Sequence, residues 1–136
     1  IIAVYTGTQP GFADDAETGT LLGYYTLAGG AFIPGVNTNG LLLANAVAGT
    51  LNGVAGALIG LHSSMTNVKC TPIASGTAGW VRFYDNAMVT GASTSAKRLD
   101  MACGVGTGEF RLSSQIFTIG VDVALNSVSL LQRLTA

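Results

Sequence analysis

The residues able to carry chemistry are few and lie far apart. The chain has one His, two Cys, seven acidic and six basic residues. His62 is followed by Ser63 and Ser64, which brings a base beside hydroxyl nucleophiles. Serine catalysis needs that base hydrogen-bonded to the nucleophile and held by a third group. Adjacent strand residues point to opposite faces, and no G-x-S-x-G elbow occurs. His62 therefore reads as a loop or strand-edge histidine. Cys70 and Cys103, with His62, are too few for a zinc site. They read as two buried free thiols, with a Cys70–Cys103 bridge as the alternative.

Asp14, Asp15 and Glu17 form the acidic cluster. A calcium site takes several oxygen ligands, and the D-x-D-x-D-G pattern is absent, so a solvated loop is expected. Asp85, Asp100 and Glu109 are not brought together by spacing, while Arg82, Lys97 and Arg98 offer ordinary salt-bridge partners. Gly104-x-Gly106-x-Gly108 has a phosphate-loop look, but such a loop opens a helix. Glu109 to Leu112 alternates like a strand instead, so the glycines read as a hairpin turn. No catalytic residue, cofactor or metal site is expected, and the chain is read as a non-enzyme.

The aromatic residues give a different kind of candidate. Trp80, Tyr84, Tyr24 and Tyr25 are the candidate interface or binding residues. Aromatics alternating with Val and Phe on a strand form core or subunit interface, and exposed ones can receive a sugar face. Trp80, Arg82 and Tyr84 share one face of their strand, and Val81 and Phe83 share the other. Val81 and Phe83 are expected in the core. The Trp80/Tyr84 face is expected either to form a second core layer or to meet a neighbouring subunit.

The elements that must position these residues are strands. A chain of 136 residues fits one domain over 1–136. The hydrophobic period is two in most readable segments. Strands are expected over 1–6, 21–27, 78–85, 97–103, 109–112, 114–119, 121–125 and 127–134, with Asn126 at a turn. Ala28-Gly29-Gly30 reads as a hairpin turn before Ala31-Phe32-Ile33. Asn86 to Ser95 is a loop. The segment 41–61 is ambiguous: its alanines tolerate helix, but Gly49, Gly53, Gly56 and Gly60 cost about 1 kcal/mol each in a helix interior. It is read as extended. Short strands with Gly-rich turns predict an all-β fold, a single-domain β-sandwich or barrel, with jelly-roll-like topology among the options.

Composition restricts the partners. Charged residues are 10% of the chain and apolar residues 49%, whereas an ordinary soluble domain is about 25% charged. So bland a surface is expected to be covered by copies of the chain or by another protein. Net charge is −1, and only Lys97 and Arg98 adjoin among the basic residues, which argues against nucleic acid. No uninterrupted apolar run of about 18 residues occurs, so no spanning helix or membrane partner is expected. The chain begins with Ile and shows no signal-peptide pattern; a processed start or residues ahead of Ile1 are expected.

Three stretches together resemble a family of small tailed-bacteriophage virion structural proteins. The first is Val4-Tyr5-Thr6-Gly7-Thr8-Gln9-Pro10 with Thr18-Gly19-Thr20-Leu21-Leu22. The second is Gly76-Thr77-Ala78-Gly79-Trp80-Val81-Arg82-Phe83-Tyr84. The third runs from Thr90-Gly91-Ala92-Ser93 through Arg98-Leu99-Asp100 to Gly104-Val105-Gly106-Thr107-Gly108. The resemblance covers most of the chain, with 44–73 poorly matched. It implies a virion protein of the capsid decoration or accessory type, assembled in the bacterial host cytoplasm. Its partners would be copies of itself and a major capsid or neck/tail protein. The alternative is a neck, tail or fibre module that binds a host receptor or glycan. The resemblance brings no catalytic residues. Exposed strand edges would be natural sites for pairing with a neighbour.

Overall fold

The computed structural model describes residues 1–51, 53–125 and 127–132. Among these the chain is all-β, without helices. The strands are β1 (Ile2–Thr6), β2 (Leu21–Leu27), β3 (Val47–Leu51), β4 (Val54–Gly60), β5 (Val68–Cys70), β6 (Gly76–Tyr84), β7 (Arg98–Gly104), β8 (Phe110–Arg111), β9 (Ile116–Phe117), β10 (Val123–Leu125) and β11 (Ser129–Gln132). The large sheet has the order β10-β5-β2-β1-β6-β7-β8, with β9 pairing β6, and curls into a half-barrel. A second sheet has the order β11-β4-β3. The division is eight strands and three, not the four and four of a jelly roll.

β1 lies at the centre because Ile-Ala-Val-Tyr carries no charge and its one polar side-chain atom, the Tyr5 hydroxyl, finds a partner inside the protein; Ile2 to Tyr5 are all buried. Such a short apolar run is what a strand covered on both faces requires. Its neighbours β2 and β6 both run antiparallel to it. Both ladders slip by one residue at the end of β1. Tyr5 pairs with Trp80 and Thr6 with Ala78, leaving Gly79 as the extra residue of a bulge. A Cβ on Gly79 would lie 1.8 Å from the Gly7 carbonyl oxygen, so the loop after β1 closes onto β6 only because residue 79 has no side chain.

β6 alternates as its sequence predicts. Val81 joins Ile2, Val4, Leu22, Tyr25, Met101 and Phe117 in the main core. Phe83 is half-buried, not fully inside, and packs edge-on against Phe110 at 5.8 Å. Trp80 and Tyr84 join Ile1, Ala3 and Tyr5 in a second core cluster on the opposite face. The first face is closed by Leu41, Leu61, Met65 and Leu130, so the small sheet and its flanks cover it. The second face is closed by loops: Trp80 Nε1 donates to Thr18 O, and Ser93 N donates to Asp14 O.

The chain departs from expectation in three places. The turn at Ala28-Gly29-Gly30 forms, with Gly30 N donating to Leu27 O. Yet Ala31–Ile33 does not return along β2; β5 takes that edge, pairing Tyr25 with Cys70. Glu109–Leu112 is not the second arm of a hairpin. β8 pairs parallel to β7, with Cys103 opposite Phe110 and Gly104 opposite Arg111. The chain makes a full loop between them, which Gly108 permits at φ +77°, its Cα facing the Ala102 carbonyl too closely for a Cβ. The expected strand 114–119 shrinks to β9 plus a bridge from Thr118 to Val121. Asn126 and the end of the expected strand 127–134 lie outside the described residues.

Candidate interaction surface

Four charged side chains, Arg82, Glu17, Asp100 and Arg98, gather on the second face and hold loops there. Arg82, on β6, is 0% exposed. Its Nε and Nη2 donate to the two Asp100 carboxylate oxygens at 2.7 Å each, a two-pronged pair to the neighbouring β7. Its Nη1 donates to Glu17 Oε1 and to Asp15 O, both at 3.0 Å. The guanidinium also lies 5.4 Å from the centroid of the Trp80 ring. Glu17 completes the cluster. It accepts from Tyr84 Oη at 2.5 Å and from Gly91 N at 2.9 Å, and Arg98 Nη1 stands 3.6 Å away. Tyr5 and Tyr84 join their hydroxyls at 3.2 Å, and Tyr5 stacks on Trp80 at 4.5 Å.

Burial pushes the Glu17 carboxyl up, but the donors from Tyr84, the amides of Glu17 and Gly91, and Arg82 outweigh it and hold the group below its ordinary 4.5. The hydrogen bond to Asp100 raises the Arg82 guanidinium further. Burial, then the bond to Glu17, pushes the Tyr84 phenol up. These shifts favour the charged forms of Glu17 and Arg82 and the neutral form of Tyr84. The arrangement clamps the loops 7–20 and 85–97 to the sheet.

The other chemistry-bearing residues do not converge. His62 and Ser64 do meet: Nδ1 accepts the Ser64 amide at 3.2 Å and lies 2.8 Å from its hydroxyl oxygen. Both are exposed, and no carboxylate holds the ring among the described residues. Cys70 and Cys103 are free and buried, not bridged. Burial pushes their thiols up to about 12 and about 11, far from thiolate reactivity at neutral pH. Among the described residues no three His, Cys, Asp or Glu gather as metal ligands. The acidic cluster is split: Asp15 caps the Phe12 amide while Glu17 turns inward to Arg82.

Of the four aromatic candidates, Trp80, Tyr25 and Tyr84 are 0%, 0% and 6% exposed. Tyr24 is half-buried and packs on the second core cluster. The second-core-layer alternative is the one the fold takes for the Trp80/Tyr84 face, because the loops held by Glu17 and Arg82 leave it no solvent side. Tyr25 lies between Phe110 and Phe117 in the main core.

Exposed large apolar side chains lie elsewhere: Phe12, Val36, Ile73, Ile116, Ile119 and Val121 in scattered places, and a group around the hairpin described next. No Asp, Glu, Lys or Arg stands between Glu17 and Lys69 in the chain. That stretch contains a long hairpin. β3 and β4 pair from Val47↔Leu58 to Leu51↔Val54, and Leu43 bridges Leu61 further along. Leu42, Leu43 and Val47 are 44%, 47% and 63% exposed, and Ala48, Thr50 and Ala55 are exposed as well. An antiparallel sheet with one wet face alternates apolar and polar residues. β3 and β4, Val-Ala-Gly-Thr-Leu and Val-Ala-Gly-Ala-Leu-Ile-Gly, do not alternate, so neither face is made for water. β4 pairs β11 on one side and β3 on the other; among the described residues no strand takes the outer edge of β3. A cleft of about 510 Å³ separates this sheet from β7 and β8, with a mixed lining: Leu51, Leu99 and Leu131 on the apolar side, Asp100, Glu109 and Arg111 on the polar.

No family model matches the chain, and neither a curated protein nor a solved structure does. No helix is long and apolar enough to cross a membrane among the described residues. The edge residues Val47, Ala48 and Thr50 were not singled out by sequence reading, although the missing alternation in 47–60 and the uncharged run around it are visible signals.

Proposed function

We propose that the chain is a bacteriophage virion structural protein, a capsid decoration or capsid-associated subunit that works by binding its neighbours. The observation that carries this reading is the uncharged hairpin of β3 and β4, apolar on both faces and open along one edge. A neighbour covering about 1,000 Å² of apolar surface would supply roughly 25 kcal/mol gross, much of it offset by lost freedom on association. The resemblance of the β1, β6 and β7 segments to small tailed-phage virion proteins supplies the setting. Those segments build the large sheet and its two cores, while the hairpin falls in the poorly matched 44–73.

The reading of a tail or fibre module that grips a glycan has less to stand on. Its contact would be Trp80, Tyr84 or the loop Asn86 to Ser95; both rings are inside the chain, which leaves it the loop alone.

The test is co-sedimentation of the purified chain with particles of the phage that encodes it, followed by localisation and copy number in the particle by electron cryo-microscopy. Stoichiometric binding at symmetry-related positions supports the proposal. A chain absent from purified particles, and unable to bind them when added back, overturns it.

A further inference from the structure

We propose that β3 pairs antiparallel with β3 of a second copy, centred on Gly49, joining two small sheets into one of six strands. This rests on the subunit reading above and names one of its contacts. The edge itself is the first observation. Exposed edges are ordinarily blunted with lysine, proline, a bulge or extreme shortness. β3 has none of these over its five residues, and its register with β4 is unbroken from Val47 to Leu51. The competing ends are shorter. β11, the other edge of the small sheet, has four residues and β8 has two. β10 has three and adjoins the Asp122–Lys69 ion pair, which puts charge beside its ladder.

The second observation says why the occupant is another copy. Antiparallel pairing about Gly49 sets Val47 against Leu51 of the second copy, Ala48 against Thr50, and Gly49 against Gly49. Large apolar meets large apolar, small meets small, and the residue on the axis has no side chain. With no ionised group in β3 or β4, the two-fold axis brings no like charges together. The axis is also covered from within each chain. A Cβ on Gly49 would lie 2.4 Å from Leu58 Cδ1, so the Leu58 side chain already occupies the space over Gly49. Two copies would thus flank the axis with a pair of leucines. Aligned this way, the strand adds main-chain hydrogen bonds while half-exposed Leu58 and exposed Val47 lose water.

The contact is small. A standard interface buries about 800 Å² per partner, more than a five-residue edge provides, so affinity on the order of micromolar is expected. In a particle, where copies are held near one another, that is sufficient.

Sedimentation velocity over a concentration series tests it. The wild-type chain should move from monomer to dimer as concentration rises. Ala48→Lys with Thr50→Lys, and separately Ala48→Glu with Thr50→Glu, should each weaken the dimer about tenfold or more, with far-ultraviolet circular dichroism unchanged. An equimolar mixture of the two should dimerise again, because residue 48 then faces an opposite charge at 50 on both sides of the axis. Should a double variant fail to fold, amide exchange in the wild type gives the answer: protection of 47–51 must rise with concentration. A wild type that stays monomeric, variants that dimerise as well as wild type, a mixture that remains monomeric, or exchange in 47–51 that ignores concentration overturns the pairing. A monomer that still binds particles would remove only this inference, and a dimer that ignores particles would remove only the subunit reading.

Discussion

Arg82 carries its charge at 0% exposure, and Glu17 and Asp100 share it with the Asp15 carbonyl and the Trp80 ring. Removing one member of such a set strands the others without solvent. Glu17→Gln keeps shape and removes charge, leaving Arg82 and Arg98 less compensated; a loss of about 2 kcal/mol at neutral pH is expected in denaturant titration. The same residue sets a pH dependence. Its folded pKa lies below the ordinary value, so the stability it contributes is complete above that value and is lost as pH falls through the folded one. Wild-type stability should therefore fall on acidification below the ordinary carboxylate range, and the Glu17→Gln variant should fall less steeply; parallel curves would show that Glu17 is not the group responsible. Tyr25 predicts the opposite sign. Its hydroxyl is buried without a hydrogen-bond partner among the described residues. A desolvated, unpaired hydroxyl costs stability, so Tyr25→Phe should be neutral or stabilising by about 1 kcal/mol. A clear loss in thermal or chemical unfolding would mean that the hydroxyl has a partner.

Gly79 acts at the level of the element. It is the extra residue of the β6 bulge, and the Gly7 carbonyl occupies the place of its missing side chain. Gly79→Ala must push the loop after β1 away from β6, with the Thr18 carbonyl and Glu17 that follow it. A cost of about 3 kcal/mol is expected, with weakened protection of the Trp80 indole N–H; a change under 1 kcal/mol would show that the loop moves freely. The case also shows what was legible in the sequence. β1, β2, β6 and β7 could be read because alternation and apolar runs fix strands locally, and the pairing of faces on β6 followed from parity. The parallel approach of β8 to β7 could not, because a loop that closes on itself looks in sequence like a hairpin. Nor could the loss of Ala31–Ile33 from the sheet, which is decided by β5, at Val68–Cys70, winning the β2 edge. For the Trp80/Tyr84 face two outcomes stayed open for a related reason: parity gives the face of a strand, but whether loops cover that face depends on Glu17 reaching Arg82 across 65 residues of chain.

The whole molecule is made of two sheets that differ in how they are held. The large one has β1 and most of β6 sealed on both faces, with a main core below and the Tyr5–Trp80–Arg82 cluster above. The small one shares a core contact through Leu61 and Leu130, but leaves Val47, Ala48, Thr50 and Ala55 exposed. Local opening free energies follow burial, so the two sheets should not open together. In hydrogen exchange on the dilute chain, the amides of Val4, Val81 and Trp80 should exchange only through global unfolding, at the rate set by the full stability. The β3 amides paired with β4 should exchange through local opening, faster by about 100-fold, a difference of roughly 2.7 kcal/mol. Added denaturant should accelerate the first group steeply and the second only slightly, because local opening exposes little new surface. Equal protection and equal denaturant sensitivity in β3 and β6 would mean that the hairpin is bound into the same cooperative unit as the half-barrel, and that its apolar faces are already covered within one chain.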